Sequence, residues 1–409
     1  MLPVQYGTGL GEAGWTPPFR ASNGAYYIVS GNATGATTLE AFKATEPDQA
    51  SSWVIQDAAN NPFHGGQYIF VFSVQDGDLI HIGTNDSIIG NPNDFSYHRF
   101  NMATDLWDVT DELIETPAQQ GSSALDISIA VRDDGNPVAF YVGDTDGNMG
   151  DQKNRVDVNV RVSGTWGGPI GVDAGGDVHY QNSRIIKSLI TDEMHLFFQR
   201  ATDTADPPAV NSDLQARTFR ADNSLSAVDT DTQDTATHLQ GYCTPVVYDD
   251  AGAQRMLSAG IEGAAGGARQ YQPCTVDGSD DVVLGTAVSD TAGADGYRFG
   301  SAGDVSAIVV DQFGIIHHVY AGGGTDGVDN DLYYTKSDDD GATWDTPIEI
   351  RDATSVFHLA ANIYHRKCSI VMGLVHSNGP SVGRWYDELI LYDWECKPVQ
   401  QLSYRSRSR

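Results

Sequence analysis

The stretch Leu125–Trp166, LDISIAVRDDGNPVAFYVGDTDGNMGDQKNRVDVNVRVSGTW, decides the fold. Leu125 to Val131 alternates apolar with polar or small residues, the period-two pattern of a β-strand, and Asp134-Gly135 then supplies a tight turn. Pro137 to Val142 reads as a second strand, a loop rich in Gly and Asp follows, Val156 to Val162 is a third, and Trp166 opens a fourth. The unit repeats. Asp76, Asp134, Asp192 and Asp250 stand 58 residues apart, each between two strand-like runs. Phe313-Gly314 and His365-Arg366 hold the same place in two later units, and Asn23-Gly24 holds it in the first.

No helical periodicity appears, so the chain is all-β. Four short strands per unit and a repeat near 58 residues predict a seven-bladed β-propeller of four-stranded antiparallel blades, with six or eight blades as alternatives. The expected blades are 14–57, 64–115, 122–172, 179–230, 238–286, 298–350 and 355–404, one domain over 1–409, with 1–13 as an N-terminal arm and 405–409 as a basic tail. Trp53, Trp107, Trp166 and Trp344 each fall where an outer strand begins. Two closures of the ring are open: Lys397 to Tyr404 as the last outer strand, or Pro3 to Tyr6 from the other end. Connections between first and second strands are tight, whereas those between second and third are long. The long loops and the blade-to-blade linkers share one face, and a binding surface is expected there.

Of the 55 acidic residues 45 are Asp and 10 are Glu, against 18 Arg and 6 Lys, which gives a net charge of −31. Such a surface repels nucleic acid and anionic lipid. The excess of Asp and the scarcity of Lys fit a protein adapted to molar salt, where a Debye length of about 3 Å screens self-repulsion. Met1 to Gly14 carry no export signal, and no apolar run reaches membrane-spanning length. Cys243, Cys274, Cys368 and Cys396 lack metal-site spacing; they read as buried thiols, or as two bridges, 243 to 274 and 368 to 396, in an extracellular protein.

Ser337-Asp338-Asp339-Asp340-Gly341-Ala342-Thr343-Trp344 fits S-x-D-x-G-x-T-W, the Asp-box. The chain here resembles the sialidase-like, BNR-repeat propellers. Physically the box is a turn device. Asp339 can accept turn amides, Gly341 takes a backbone shape costly for other residues, and Trp344 packs between sheets, with Ser337 and Thr343 the other fixed positions of the motif. Weaker copies end at Trp53, where Asp48 and Ser52 are kept, and at Trp107 and Trp166. The resemblance implies such turns lie opposite the catalytic face of sialidases.

Those enzymes use an arginine in an F/Y-R-I-P motif, further arginines, a Tyr paired with Glu, and an Asp acid. Phe19-Arg20-Ala21-Ser22 matches only half of the motif, and Arg298 and Arg384 fit the other arginines only by order. Glu193, Glu262 and Glu349 are not beside an obvious nucleophilic Tyr, so sialidase chemistry is disfavoured. Some related propellers resemble polysaccharide lyases, for which His179, Tyr180, His238 and Arg298 are the catalytic candidates. Arg20, His64, His179, Tyr180, Tyr242, Arg298 and His358 are candidate ligand contacts; the plainer reading is a wet, hydrogen-bonded channel. Asp144, Asp146, Asn148 and Asp151 have the alternate oxygen spacing of a calcium loop, though Arg155 stands where an EF-hand needs Glu. No cofactor is required.

These readings together predict a non-enzymatic propeller in a larger extracellular assembly, a virion decoration or host-adhesion protein of a halophilic system. It would meet other subunits of that assembly, its own copies included, and recognise cell-surface glycan or glycoprotein, without nucleic-acid binding or membrane insertion. The alternative is a polysaccharide lyase or sialidase-like hydrolase.

Overall fold

In the computed structural model the described residues are 4–7, 16–31, 38–47, 49–63, 67–87, 94–116, 126–143, 155–174, 179–201, 212–230, 239–240, 245–262, 269–290, 306–323, 330–351, 356–366, 369–378 and 384–393. They form seven antiparallel sheets, the blades of a seven-bladed β-propeller. Each has four strand positions, inner to outer in chain order except in blade 7; in blade 2 these are Gln67–Asp76, Leu79–Ser87, Phe95–Asn101 and Leu106–Glu115. Blade 3 splits its outer position into Thr165–Trp166 and Ile170–Ala174, both paired with Arg155–Val162. Blade 5 splits both its inner and its outer positions. The only helices among the described residues are single 3-10 turns, Ala50–Ser52 and Ala58–Asn60, and no helix is long and apolar enough to cross a membrane.

The sequence markers fall where the repeat puts them. Gly24, Gly77, Gly135, Gly252 and Gly314 sit in inner-to-second turns with φ between +57° and +90°, a region that glycine enters without penalty. Blade 7 closes by the second of the two routes. Its inner three strands are Val356–Arg366, Ser369–Asn378 and Arg384–Asp393, and its outer strand is Val4–Gly7, with Val4 opposite Tyr386 and Gln5 opposite Trp385. Residues 4–7 therefore leave the expected arm and join the ring, while 397–404 lie outside the described residues. An outer strand drawn from before blade 1 ties residues 4–7 to residues 384–386.

The apolar interior is not one core but seven clusters, one at each blade junction. Tyr27 and Val29 face blade 2, while Tyr26 and Ile28, from the same strand, face blade 7. Both faces of a blade are covered, so both sets of an alternating strand are buried. Trp53, Trp166 and Trp344 each pack on a Tyr at the third position of the third strand in the preceding blade. The partners are Tyr386 at 5.4 Å, Tyr97 at 5.6 Å and Tyr271 at 4.0 Å between ring centroids. Trp107 instead packs edge-on against Phe100 of its own blade at 5.1 Å.

The Ser337–Trp344 turn has the bonds its residues suggest. Thr343 donates its amide (2.8 Å) and its hydroxyl (2.6 Å) to the Asp339 carboxylate, Ser337 Oγ donates to Asp339 Oδ1 at 2.8 Å, and the Gly341 amide donates to Ser337 Oγ at 2.9 Å. Gly341 has φ +81°, and Trp344 Nε1 donates to its carbonyl at 3.1 Å. Cys274 is buried, its thiol directed at the Gln272 carbonyl; Cys243, Cys368 and Cys396 lie outside the described residues.

Candidate functional site

Chain direction sorts the candidates between two faces. Inner strands start at the linker face and end at the tight turns, and second strands run back. Tyr180 opens inner strand His179–Lys187 of blade 4 and so lies on the elaborated face. Arg20 closes inner strand Phe19–Arg20 of blade 1, directly before the tight turn Ala21–Gly24, and lies on the opposite face. The two are not brought together. His179 and His358 are described by backbone alone, at the starts of inner strands of blades 4 and 7. His64, His238, Tyr242, Arg298 and the calcium candidates Asp144, Asp146, Asn148 and Asp151 lie outside the described residues. Among the described residues no group of three or more His, Cys, Asp or Glu could hold a metal ion.

Two successive junctions of the elaborated face repeat one motif: a Tyr hydroxyl and a guanidinium from one blade on a carboxylate from the blade before. Between blades 3 and 4, Tyr180 Oη donates to Asp173 Oδ2 at 2.9 Å, and Arg200 Nε lies 3.7 Å from the same oxygen. Tyr180 is fully buried, whereas the side chains of Arg200 and Asp173 keep 35% and 29% of their surface exposed, enough for a ligand to reach them. Burial and Asp173 push the Tyr180 hydroxyl above its ordinary range, so it stays a donor.

Between blades 2 and 3, Tyr141 Oη donates to Glu115 Oε2, Arg155 Nη2 donates to Glu115 Oε1 at 2.5 Å, and Arg155 Nε lies against Asp157 Oδ2. Burial pushes Asp157 up to about 7, with Glu115 adding to the shift, against the attraction of Arg155. Gly143 leaves room for this group, since a Cβ there would come within 3.1 Å of Arg155 Nε. The elements explain the convergence. Glu115 and Asp173 end outer strands or their linkers, Tyr141 and Arg200 end second strands, and Arg155 begins a third, all at the linker face.

Sequence reading found Tyr180 and missed its partners, Arg200 on the next strand of the same blade and Asp173 on the blade before. The available signal was position: the last residues of an outer strand meet the end of the next blade's second strand.

The histidines visible in the structure are structural. His81 Nδ1 bonds Tyr97 Oη at 2.8 Å, His318 Nδ1 bonds Tyr271 Oη at 2.8 Å, and His195 Nε2 bonds Gln254 at 2.8 Å. His317 bridges Asp311 at 3.1 Å and Tyr334 at 2.9 Å, and the ring of His98 accepts the Asp111 amide at 3.0 Å. All five are buried.

No protein-family model matches the chain, and no curated protein matches it in sequence. Solved structures do. A lectin from Burkholderia pseudomallei aligns at TM-score 0.55 with 12% identity, covering 93% of this chain and 99% of its own. A protein of unknown function from Dyadobacter fermentans aligns at 0.51 with 12% identity, over 95% and 97% of the two chains. An α-L-arabinanase from Penicillium chrysogenum, solved with arabinobiose, aligns at 0.50 with 10% identity, over 95% and 98%. The seven sheets define the class as a seven-bladed β-propeller, and these three structures share its overall fold. At these identities the likeness establishes architecture alone.

Proposed function

We propose that the chain is a non-catalytic, carbohydrate-recognising propeller, presented on an extracellular, salt-adapted assembly such as a virion surface. The observation that carries the binding reading is the Asp173–Tyr180–Arg200 group on the elaborated face. Sugar hydroxyls donate to a carboxylate and accept from a guanidinium, and this group sets both at one part-exposed point with a fixed phenol behind them. Propellers of the same architecture include a lectin, which supports the reading at the level of scaffold. The assembly and its salt adaptation rest on composition: 45 Asp, few Lys, and a basic 405–409 segment that complements an acidic neighbour.

Glycan-array binding with the full chain in high salt tests it, using neutral, sialylated and uronate-containing glycans. Arg200→Ala and Tyr180→Phe are expected to weaken captured glycans tenfold or more; equal capture by both variants overturns the reading. Melting temperature should also rise from low to molar salt, and a flat response removes the salt adaptation.

One observation favours an enzymatic alternative. A buried carboxyl near pH 7, Asp157, beside a Tyr–Glu pair is suited to proton transfer on a glycoside or uronate. Turnover of any such substrate that is lost in Asp157→Asn would establish it in place of the non-catalytic reading.

A further inference from the structure

The tight-turn face holds a cleft of about 470 Å³ between the turn Ala21–Gly24 of blade 1 and the turn Gly77-Asp78 of blade 2. Its volume falls in the range of small-ligand clefts, about 300–1,000 Å³. Arg20, Ser22, Gly24, Gln75, Gly77 and Asp78 line it.

The lining is fixed by its own bonds. Ser22 donates its amide to Asp78 Oδ1 at 2.7 Å and its hydroxyl to Oδ2 at 2.5 Å, which sets the carboxylate in one orientation. Gln75 Nε2 donates to the Arg20 carbonyl at 2.9 Å and to the Gly77 carbonyl at 2.7 Å, tying the two turns together. The Arg20 guanidinium lies over the Tyr26 ring, 5.6 Å from its centroid. At Gly24 a Cβ would meet Arg20 Nη2 at 3.7 Å, an ordinary contact, and beside Gly77 there is open space. Pre-set polar groups of this kind bind with little ordering cost.

Charge selects the ligand. The cleft presents one guanidinium, which only donates, and one carboxylate, which when ionised only accepts. The Ser22 hydroxyl and amide hold Asp78 below the ordinary carboxylate range, so it is ionised at neutral pH. A free anion meets Asp78 and a net charge of −31, and a free cation meets Arg20. A ligand with adjacent groups that both donate and accept, and with no net charge, satisfies both.

We infer that this cleft binds the vicinal-diol edge of a neutral monosaccharide unit, as a second saccharide site on the face opposite the Asp173–Tyr180–Arg200 group. It shares no residue with that group, so the two sites stand or fall separately.

Saturation-transfer difference NMR on the full chain with D-galactose, D-mannose, L-fucose and L-arabinose tests it. With Arg200→Ala as the common background, which removes the contribution of the opposite face, at least one sugar should give a signal that falls fivefold or more when Asp78→Asn is added. Loss of the Ser22 bonds can destabilise Asp78→Asn, so Gly77→Asn serves as the second variant: Asn tolerates positive φ and adds bulk at the wall. That variant should keep the melting temperature within a few degrees and lose the signal. No transfer from any of the four sugars, transfer that persists in both variants, or binding of glycine betaine or acetate in their place overturns the inference.

Discussion

Trp344 lies flat on Tyr271 across the boundary between blades 6 and 5, ring centroids 4.0 Å apart and planes inclined by 15°. The Ser337–Trp344 turn aims the indole, and Tyr271 is further fixed by its hydroxyl on His318. Turn, stack and buried histidine thus form one unit joining two blades.

Trp344→Ala removes the stack and leaves a gap beside Tyr271 and Leu257. Large aromatic-to-alanine changes cost about 3–5 kcal/mol when buried, and the partial exposure of Trp344 places it near about 3 kcal/mol. Urea denaturation of the two proteins checks this. Trp344→Phe should recover at least half of the loss; a loss under about 1 kcal/mol for the alanine variant would mean the stack is ornamental.

Asp339→Ala strips the turn of the acceptor for the Thr343 amide and hydroxyl and for Ser337 Oγ. About 1–2 kcal/mol should be lost, the usual cost of a missing cap. Burial would raise the Asp339 carboxyl, but bonds from Thr343 and Ser337 outweigh it and hold the group below its ordinary value. The stabilisation is therefore present above the unfolded value, near 3.8, and disappears as pH falls through the lower folded one. Acid melts of wild type and Asp339→Ala should converge as pH falls below 3.8; parallel curves would refute the assignment.

His81 and His195 set a second pH dependence. Burial lowers both to about 4; Arg99 and Arg161 assist at His81, while Asp280 opposes at His195. In the unfolded chain each titrates near 6.5. Between pH 6.5 and 4 the unfolded chain binds protons that the folded chain refuses, so stability falls as pH falls, by roughly 2 kcal/mol per histidine at pH 5. Replacing His195 with Gln should flatten the slope of melting temperature between pH 7 and 5. An unchanged slope contradicts the mechanism.

Removing residues 1–7 deprives blade 7 of its outer strand and bares the Arg384–Tyr386 edge. The truncated chain should melt several degrees lower and self-associate, since an unpaired strand edge is a template for another chain. Light scattering against concentration reads the second effect; a truncated protein that stays monomeric with an unchanged melting point would show that Val4–Gly7 does not hold the ring.

The architecture was legible because its markers are local. An Asp or Gly at a tight turn and a Trp at the head of an outer strand answer to backbone conformation and nearest-neighbour packing, so their spacing survives sequence drift. Ring closure was legible only as two alternatives, because both chain ends carry a strand-like run and pairing register is a tertiary choice. The site was harder. Glu115 and Tyr141 are 26 residues apart on different blades, and nothing near either one announces the other. The buried histidines were invisible for a related reason. His81, between Ile80 and Ile82, reads as the water-facing member of an alternating strand, yet its face is covered by the adjoining blade and finds Tyr97 instead of water. Alternation reports a strand in a propeller but not which side is wet.

The Val4–Gly7 strand also sets an order of events for the newborn chain. Six blade junctions can form in succession as synthesis proceeds, but the seventh needs Tyr364, Val375 and Tyr386, which are made only after the other six blades. At about 5–20 residues per second, blade 1 waits roughly 17–67 s for Tyr386 with Tyr26, Ile28, Phe42 and Trp53 uncovered. The protein thus emerges with an adhesive first blade and an empty slot in its last, and in a crowded cell a neighbouring nascent chain competes for both until the circle shuts.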